Sequence, residues 1–278
     1  MLPRTGFRFL DEPRERGSVL AFAHRGGARH PDVAGLENTV KAFESAVGLG
    51  YRWLETDAHA TRDGQLLAFH DARLDRVTDR AGAVADLPYA EVAGALVGGR
   101  EPIPRLVDLL EAFPRTCFNV DLKSGEAIEP MVELIVGMGA QDRVCVASFT
   151  ERVLRGFRVR ARARSPRPVA TSCGIFTSAA MAALPGGPSA AARHLPSLFR
   201  ETGVAFQVPH RFRDRVPIVD RSFVERAHAA DRQVHVWTID DRAEIELMLE
   251  LGVDGIITDR TDVLREVLVE RGAWDATA

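Results

Sequence analysis

Strand-length apolar runs alternate with amphipathic runs of helix length almost from end to end of this chain, and that rhythm leaves few ways to fold it. The strand-like runs fall at 18–24, 52–58, 117–123, 143–149, 168–173, 204–208, 233–239 and 254–258. The helix-like runs at 39–49, 104–113, 127–138, 151–163, 221–230, 241–251 and 261–270 place apolar residues three and four apart. Gly50 and Gly252 supply stops. Eight such alternations are what a parallel barrel requires. An open doubly wound sheet is the competitor, but its glycine fingerprint is missing: "HRGGAR" does not give G-x-G-x-x-G, and no P-loop occurs. The expected fold is therefore α/β, a TIM-type (β/α)8 barrel, as one domain over residues 1–278 without internal repeats. Two segments interrupt the rhythm. Residues 62–103 read as a β-hairpin and loop insertion after strand 2, and residues 175–200, rich in Ala, Pro, Gly and Ser, as an enlarged loop with short helices after strand 5. Such loops form the mouth of a barrel, where substrates are selected.

Composition removes several classes of function. A net charge of −3 gives no reason to expect nucleic acid or an anionic membrane as the main partner, and 7% aromatic residues is too few for an extended base-stacking surface. No apolar stretch approaches the roughly 20 residues of a membrane span, so no stable membrane insertion is expected. The N-terminal run lacks an apolar core of signal-peptide length, which points to the cytoplasm. Cys117, Cys145 and Cys173 are an odd count in apolar surroundings and read as buried reduced thiols. The oligomeric state is open, a homo-oligomer included.

The ionisable residues gather at the ends of the strands. His24-Arg25 closes the first run: histidine titrates near neutral pH, and the arginine fork matches phosphate oxygens. Gly26-Gly27 then lets the backbone approach a ligand closely. Glu37-Asn38 precedes the first helix, Asn38 reading equally as N-cap or site residue. On 52–58, Glu55 and Asp57 share a face at i, i+2 and can offer oxygens to one hard cation. Asp63-Gly64 signals a two-residue hairpin turn. With that turn Arg62 faces Gln65, and His70 lies opposite Asp57 on the same face; a loop longer by one residue would send His70 to the other side. "NVDLK" adds Asp121 and Lys123, also at i, i+2, either as site residues or as a buried salt bridge. Trp237 at the end of the seventh run reads equally as pocket wall or core. Asp240-Asp241 read as caps of the next helix, and the arginines at 152–167 as a solvated helix face.

Taken together, "HRG", "ENT", "E-T-D-x-x-x-T-x-D-G" and "HD", followed in order by "F-N-V-D-L-K", "V-W-T" and "G-I-I-T-D", resemble the glycerophosphodiester phosphodiesterase family over roughly residues 20–268. The resemblance implies a TIM-type barrel that hydrolyses glycerophosphodiesters to glycerol 3-phosphate and an alcohol, with a divalent cation, Mg2+ or Ca2+. It makes His24 and His70 the acid/base pair, and Glu55, Asp57 and Asp121 the metal ligands. Arg25 and Lys123 would hold the phosphate, with Glu37 and Trp237 lining the substrate site. Three positions depart from the family pattern: Leu36 stands where proline is usual, Asp121 where glutamate is common, and no proline follows the last "TD". The partner expected is a small-molecule phosphodiester. Two alternatives remain: the same site acting on lysophospholipids or other phosphodiesters, and a phosphate-ligand binding barrel without turnover.

Overall fold

A computed structural model of the chain describes residues 2–184, 202–212 and 215–275, and the structural statements below concern these. Eight parallel strands form the sheet: β1 (Leu20–His24), β2 (Trp53–Ala60), β3 (Cys117–Leu122), β4 (Val144–Ala147), β5 (Ala170–Thr171), β6 (Ala205–Pro209), β7 (Gln233–Trp237) and β8 (Gly255–Thr258). Their order is β5-β4-β3-β2-β1-β8-β7-β6, and a single parallel bridge from Ser172 to Ala205 brings β5 back to β6. The result is a nearly closed (β/α)8 barrel. The eight expected strand runs are thus all present, each followed in the chain by a helix. The helix Ile175–Ala183 follows β5; the rest of the expected enlarged loop, 185–200, lies outside the described residues.

Local chemistry sets the element ends. Thr39, Asp220 and Asp241 cap three helices by accepting from backbone N–H groups in the first turn, and Gly252, at φ +86°, stops the helix Arg242–Leu251. Strand alternation then divides the core into two layers. Outward residues such as Leu54, Ala58 and Val120 pack under the helices. Inward residues Leu20, Phe22, Trp53, Cys117, Cys145 and Ile257 fill the barrel at its N-terminal end, where the helix Arg8–Glu15 adds Leu10 as a plug. Burial of each large apolar side chain contributes about 1.5–3 kcal/mol, so that end is a packed floor. Among the described residues, the open end is the opposite one, where the strands finish.

The hairpin differs from expectation. Leu66–Ala68 pairs antiparallel with β2, but Ala58 faces Ala68 and Ala60 faces Leu66. The loop has three residues, Arg62-Asp63-Gly64, closed by Gly64 N–H donating to Thr61 O at 2.9 Å. The type I′ turn that a two-residue Asp-Gly loop forms needs positive φ at both central residues, whereas here only Gly64 adopts it, at φ +81°. Phe69, not His70, therefore pairs with Asp57, its N–H donating to Asp57 O at 3.1 Å. Pairing stops there, and a bend at His70 turns that side chain back to the barrel mouth. The remainder of 62–103 builds its own small apolar cluster around Leu67, Phe69, Leu74, Val92 and Ile103.

Candidate active site

The strand ends open into a cavity of about 520 Å3. His24, Arg25, Glu55, Asp57, His70, Asp121 and Lys123 line its polar side, and Phe149, Ile175, Phe212 and Trp237 its apolar side. Asn119 and Gln207 close the floor by reciprocal amide hydrogen bonds of 3.3 and 2.8 Å. Every residue expected in the site therefore borders one cavity except Glu37.

Each histidine is held through Nδ1 by an aspartate. His24, beside Glu55 in the sheet register, stands 2.7 Å from Asp259 Oδ1, with its Nε2 3.8 Å from Glu55 Oε2. His70 Nδ1 lies 2.6 Å from Asp71 Oδ1, and Asp71 accepts from Arg76 at 2.5 Å. His59 Nε2 donates to the His70 carbonyl at 3.1 Å, pinning the bend. A carboxylate on Nδ1 fixes the ring and leaves Nε2 free for proton transfer. Hydrogen bonding to Arg76 holds the Asp71 carboxyl down at about 2. At His24 burial disfavours the charged ring, yet Glu55 and Asp259 outweigh it and hold its pKa above the usual histidine value.

The carboxylates converge from two strands. Asp57 and Asp121 are direct partners in the β2–β3 register, and Lys123 Nζ joins them at 2.7 and 2.6 Å. Burial pushes Glu55 up to about 7, helped by the adjacent charge of Asp57. Asp57 goes the other way: burial opposes its ionisation, but Lys123 and Arg25 overcome it and lower the pKa. Asp121 Oδ1 is buried without a hydrogen-bond partner. Arg25 Nε lies 3.1 Å from Asp57 Oδ2 but is not aligned to donate, so that buried N–H is also unspent. Among the described residues, no three His, Cys, Asp or Glu side chains are gathered as a ready-made metal centre.

The residues around these have defined places. Glu37 stands behind Arg25, accepting from its Nη1 at 3.2 Å and from Arg76 at 2.7 and 3.1 Å, and does not reach the cavity. Asn38 is not the N-cap, which is Thr39. Buried at φ +59°, Asn38 donates to Asp57 Oδ2 at 3.0 Å and accepts from Thr56 Oγ1 at 2.8 Å. The glycine pair makes room for the chain itself: a Cβ on Gly26 would lie 2.6 Å from Ala42 Cβ, and one on Gly27 2.7 Å from Thr261 Cγ2. Trp237 is pocket wall, edge-on to Phe149 at 5.5 Å. Asp241 caps its helix, but Asp240 accepts from Asp259 N–H at 2.8 Å and so steadies the partner of His24. Asp259 is the closing aspartate of the G-I-I-T-D run, a carboxylate immediately after the last barrel strand, the end at which such barrels place their chemistry, but nothing local in that run points to His24.

The family model described as "Glycerophosphoryl diester phosphodiesterase family" matches residues 24–263. A protein of Mycobacterium tuberculosis named probable glycerophosphodiester phosphodiesterase 2 is 40% identical over 93% of this chain and 94% of its own. A lysophospholipase D of Rattus norvegicus is 27% identical over 88% and 85%. An Oleispira antarctica phosphodiesterase, solved with the product sn-glycerol-3-phosphate, superposes with TM-score 0.71 at 23% identity, covering 92% of this chain and 99% of its own. The Silicibacter pomeroyi fold neighbour reaches TM-score 0.75 at 22% identity over 96% and 99%. With the motifs, the barrel and the clustered ionisable groups in agreement, the chain belongs to the glycerophosphoryl diester phosphodiesterase family and is an enzyme of that family.

Proposed function

We propose that this single barrel domain hydrolyses a glycerophosphodiester to glycerol 3-phosphate and an alcohol, with His24 and His70 as the acid/base pair. The observation that carries this reading is two carboxylate-anchored histidines facing one cavity together with Arg25 and Lys123. One histidine accepts the proton from the attacking oxygen, of water or a substrate hydroxyl, while the other protonates the leaving alcohol. Arg25 and Lys123 hold the phosphate oxygens and offset the charge that builds up in the transition state.

A divalent cation, Mg2+ or Ca2+, belongs to the same reading. Glu55, Asp57 and Asp121 offer only oxygen donors, which suits a hard ion, and Asp121 Oδ1 has no partner. The charge around the site supports it. Glu37, Glu55, Asp57, Asp71, Asp121 and Asp259 stand with Arg25, Arg76 and Lys123 as fixed cations. With Glu55 pushed up to about 7, the other carboxylates still outnumber the three cations and disfavour an anionic diester. When bound, the ion supplies that missing positive charge. Three free, buried cysteines support a reducing cytoplasm as the compartment.

The test is a phosphodiester panel with metal-stripped and metal-restored protein, read as glycerol 3-phosphate release. His24→Ala and His70→Ala should each abolish release; full activity in both overturns the reading. A second reading, that the leaving alcohol carries an acyl chain as in a lysophospholipid, is favoured by the wall of Phe149, Ile175, Phe212 and Trp237. Comparing kcat/KM for glycerophosphocholine and a lysophosphatidylcholine separates the two.

A further inference from the structure

Nine large apolar side chains are strongly exposed among the described residues, and five of them follow β4, β5 and β6 around the cavity mouth. These are Phe149, Ile175, Phe176, Phe212 and Val216; the other four are spread over the N-terminus and three helices. Phe176 is 75% exposed. Val216 pairs with Phe212 across a two-stranded ribbon, Arg211–Phe212 against Val216–Pro217. The helix Ile175–Ala183, "IFTSAAMAA", carries no charge, yet Ile175, Phe176, Ala179, Ala180, Ala182 and Ala183 are all exposed. A helix that meets water over most of its surface normally shows charged residues there. Exposed apolar side chains gathered at one mouth mark a binding face.

Four exposed arginines adjoin the described apolar residues of this rim. Arg152 and Arg155 are exposed on the helix that follows Phe149, Arg211 is exposed in the ribbon itself, and Arg215 just before its second strand. The side chains of these four have no hydrogen bond or ion pair among the described residues. Glu151, at the start of the same helix as Arg152 and Arg155, is half-buried and accepts from Thr177 Oγ1 at 3.3 Å. Apolar side chains ringed by unpaired arginines fit the boundary between acyl chains and anionic headgroups. A second copy of this chain would bring arginines against arginines, so the rim does not suit self-association.

We propose that this rim docks the enzyme, cavity mouth inward, on the surface of an anionic membrane. Phe176, Phe212 and Val216 enter the headgroup boundary while Arg152, Arg155, Arg211 and Arg215 meet lipid phosphates. The chain is not inserted; no helix among the described residues is long and apolar enough to cross a bilayer. The inference goes beyond the proposed reaction and does not depend on which diester is cleaved. An arginine near an anionic leaflet strengthens binding by about fivefold, and the contribution falls with salt.

Sedimentation of the full chain with phosphatidylcholine vesicles, with and without phosphatidylglycerol, tests it without any turnover. The wild type should bind the anionic vesicles and release as salt is raised. The double variants Phe176→Ser/Val216→Ser and Arg211→Glu/Arg215→Glu should each bind at least about tenfold more weakly, with melting temperature and glycerophosphocholine turnover unchanged, since none of these side chains lines the cavity. Failure of the wild type to bind, or equal binding by the variants, overturns the proposal. So does a dimer in sedimentation velocity that Phe176→Ser/Val216→Ser dissociates, because the rim would then be occupied by a second copy.

Discussion

Asp254 sits just before β8 at the packed end of the barrel, and Asp121 near the end of β3 at the open one; their exposures are 0% and 7%. Both are carboxylates taken out of water, and the fold treats them differently. Asp254 meets Arg14 Nε at 3.0 Å, His228 Nε2 at 2.8 Å and the Val234 N–H at 2.8 Å, so both oxygens are satisfied. Asp121 has Lys123 on one oxygen and nothing on the other. A buried polar group left short of partners carries a standing cost, and it persists where something else completes it. The packed end has spent its charges on holding the chain together, and the open end keeps some in reserve.

This contrast can be broken by experiment. The largest effect is expected for the histidines: His24→Ala or His70→Ala should lower kcat by about 10³-fold or more while the unfolding free energy changes little. Asp121→Asn comes next, with kcat/KM down by about 10²-fold and stability within about 1 kcal/mol of wild type, as expected where a hydrogen-bond deficit is relieved rather than created. Asp254→Asn should do the reverse. It strands Arg14 and His228 and should cost about 3 kcal/mol in urea unfolding, with kcat of the folded enzyme unchanged. If Asp121→Asn proved the more destabilising of the two, the comparison would fail.

Acid sharpens the same contrast. At Asp254 burial favours the neutral form, but the hydrogen bond and charge of His228, with Arg14, overcome it and lower the pKa below 3.8. A carboxyl depressed in the folded state contributes its full stabilisation above its unfolded value and loses it as the pH falls through the folded one. Wild type should therefore lose this contribution below about pH 4, and the Asp254→Asn melting curve should lack that acid limb. The smallest effect is expected at Asn38. Asn38→Ala removes one hydrogen bond to Asp57 and should lower kcat about tenfold, in keeping with about 1–1.5 kcal/mol for such a bond.

Much of this was legible in the residues. Period and length of the apolar runs marked eight strands and their helices, because burial against a shared core demands those periods locally. The short motifs at the strand ends marked His24, Arg25, Glu55, Asp57, His70, Asp121 and Lys123, all of which line the cavity. Register was harder. Asp63-Gly64 signalled a turn, but whether Arg62 belongs to the loop depends on the φ that Asp63 adopts and on Tyr89 N–H, which Asp63 Oδ1 accepts from across the insertion at 2.9 Å. The Gly26-Gly27 pair likewise announced a close approach without saying to what. Ala42 and Thr261 answer that, one of them far along the chain.

What the sequence determined by itself was the barrel and its set of reactive groups, since both follow from local periodicity and from residue chemistry at strand ends. Only the tertiary structure decided how those groups are supported. Asp259 reaches His24 across 235 positions, Glu37 falls behind Arg25 instead of into the cavity, and His70 faces its partners through a bend rather than through pairing. The same holds for the three connections that bring Phe149, Phe176, Phe212 and Val216 to one rim. Such contacts depend on barrel closure and on where each loop leaves its strand. No local window of sequence contains that information.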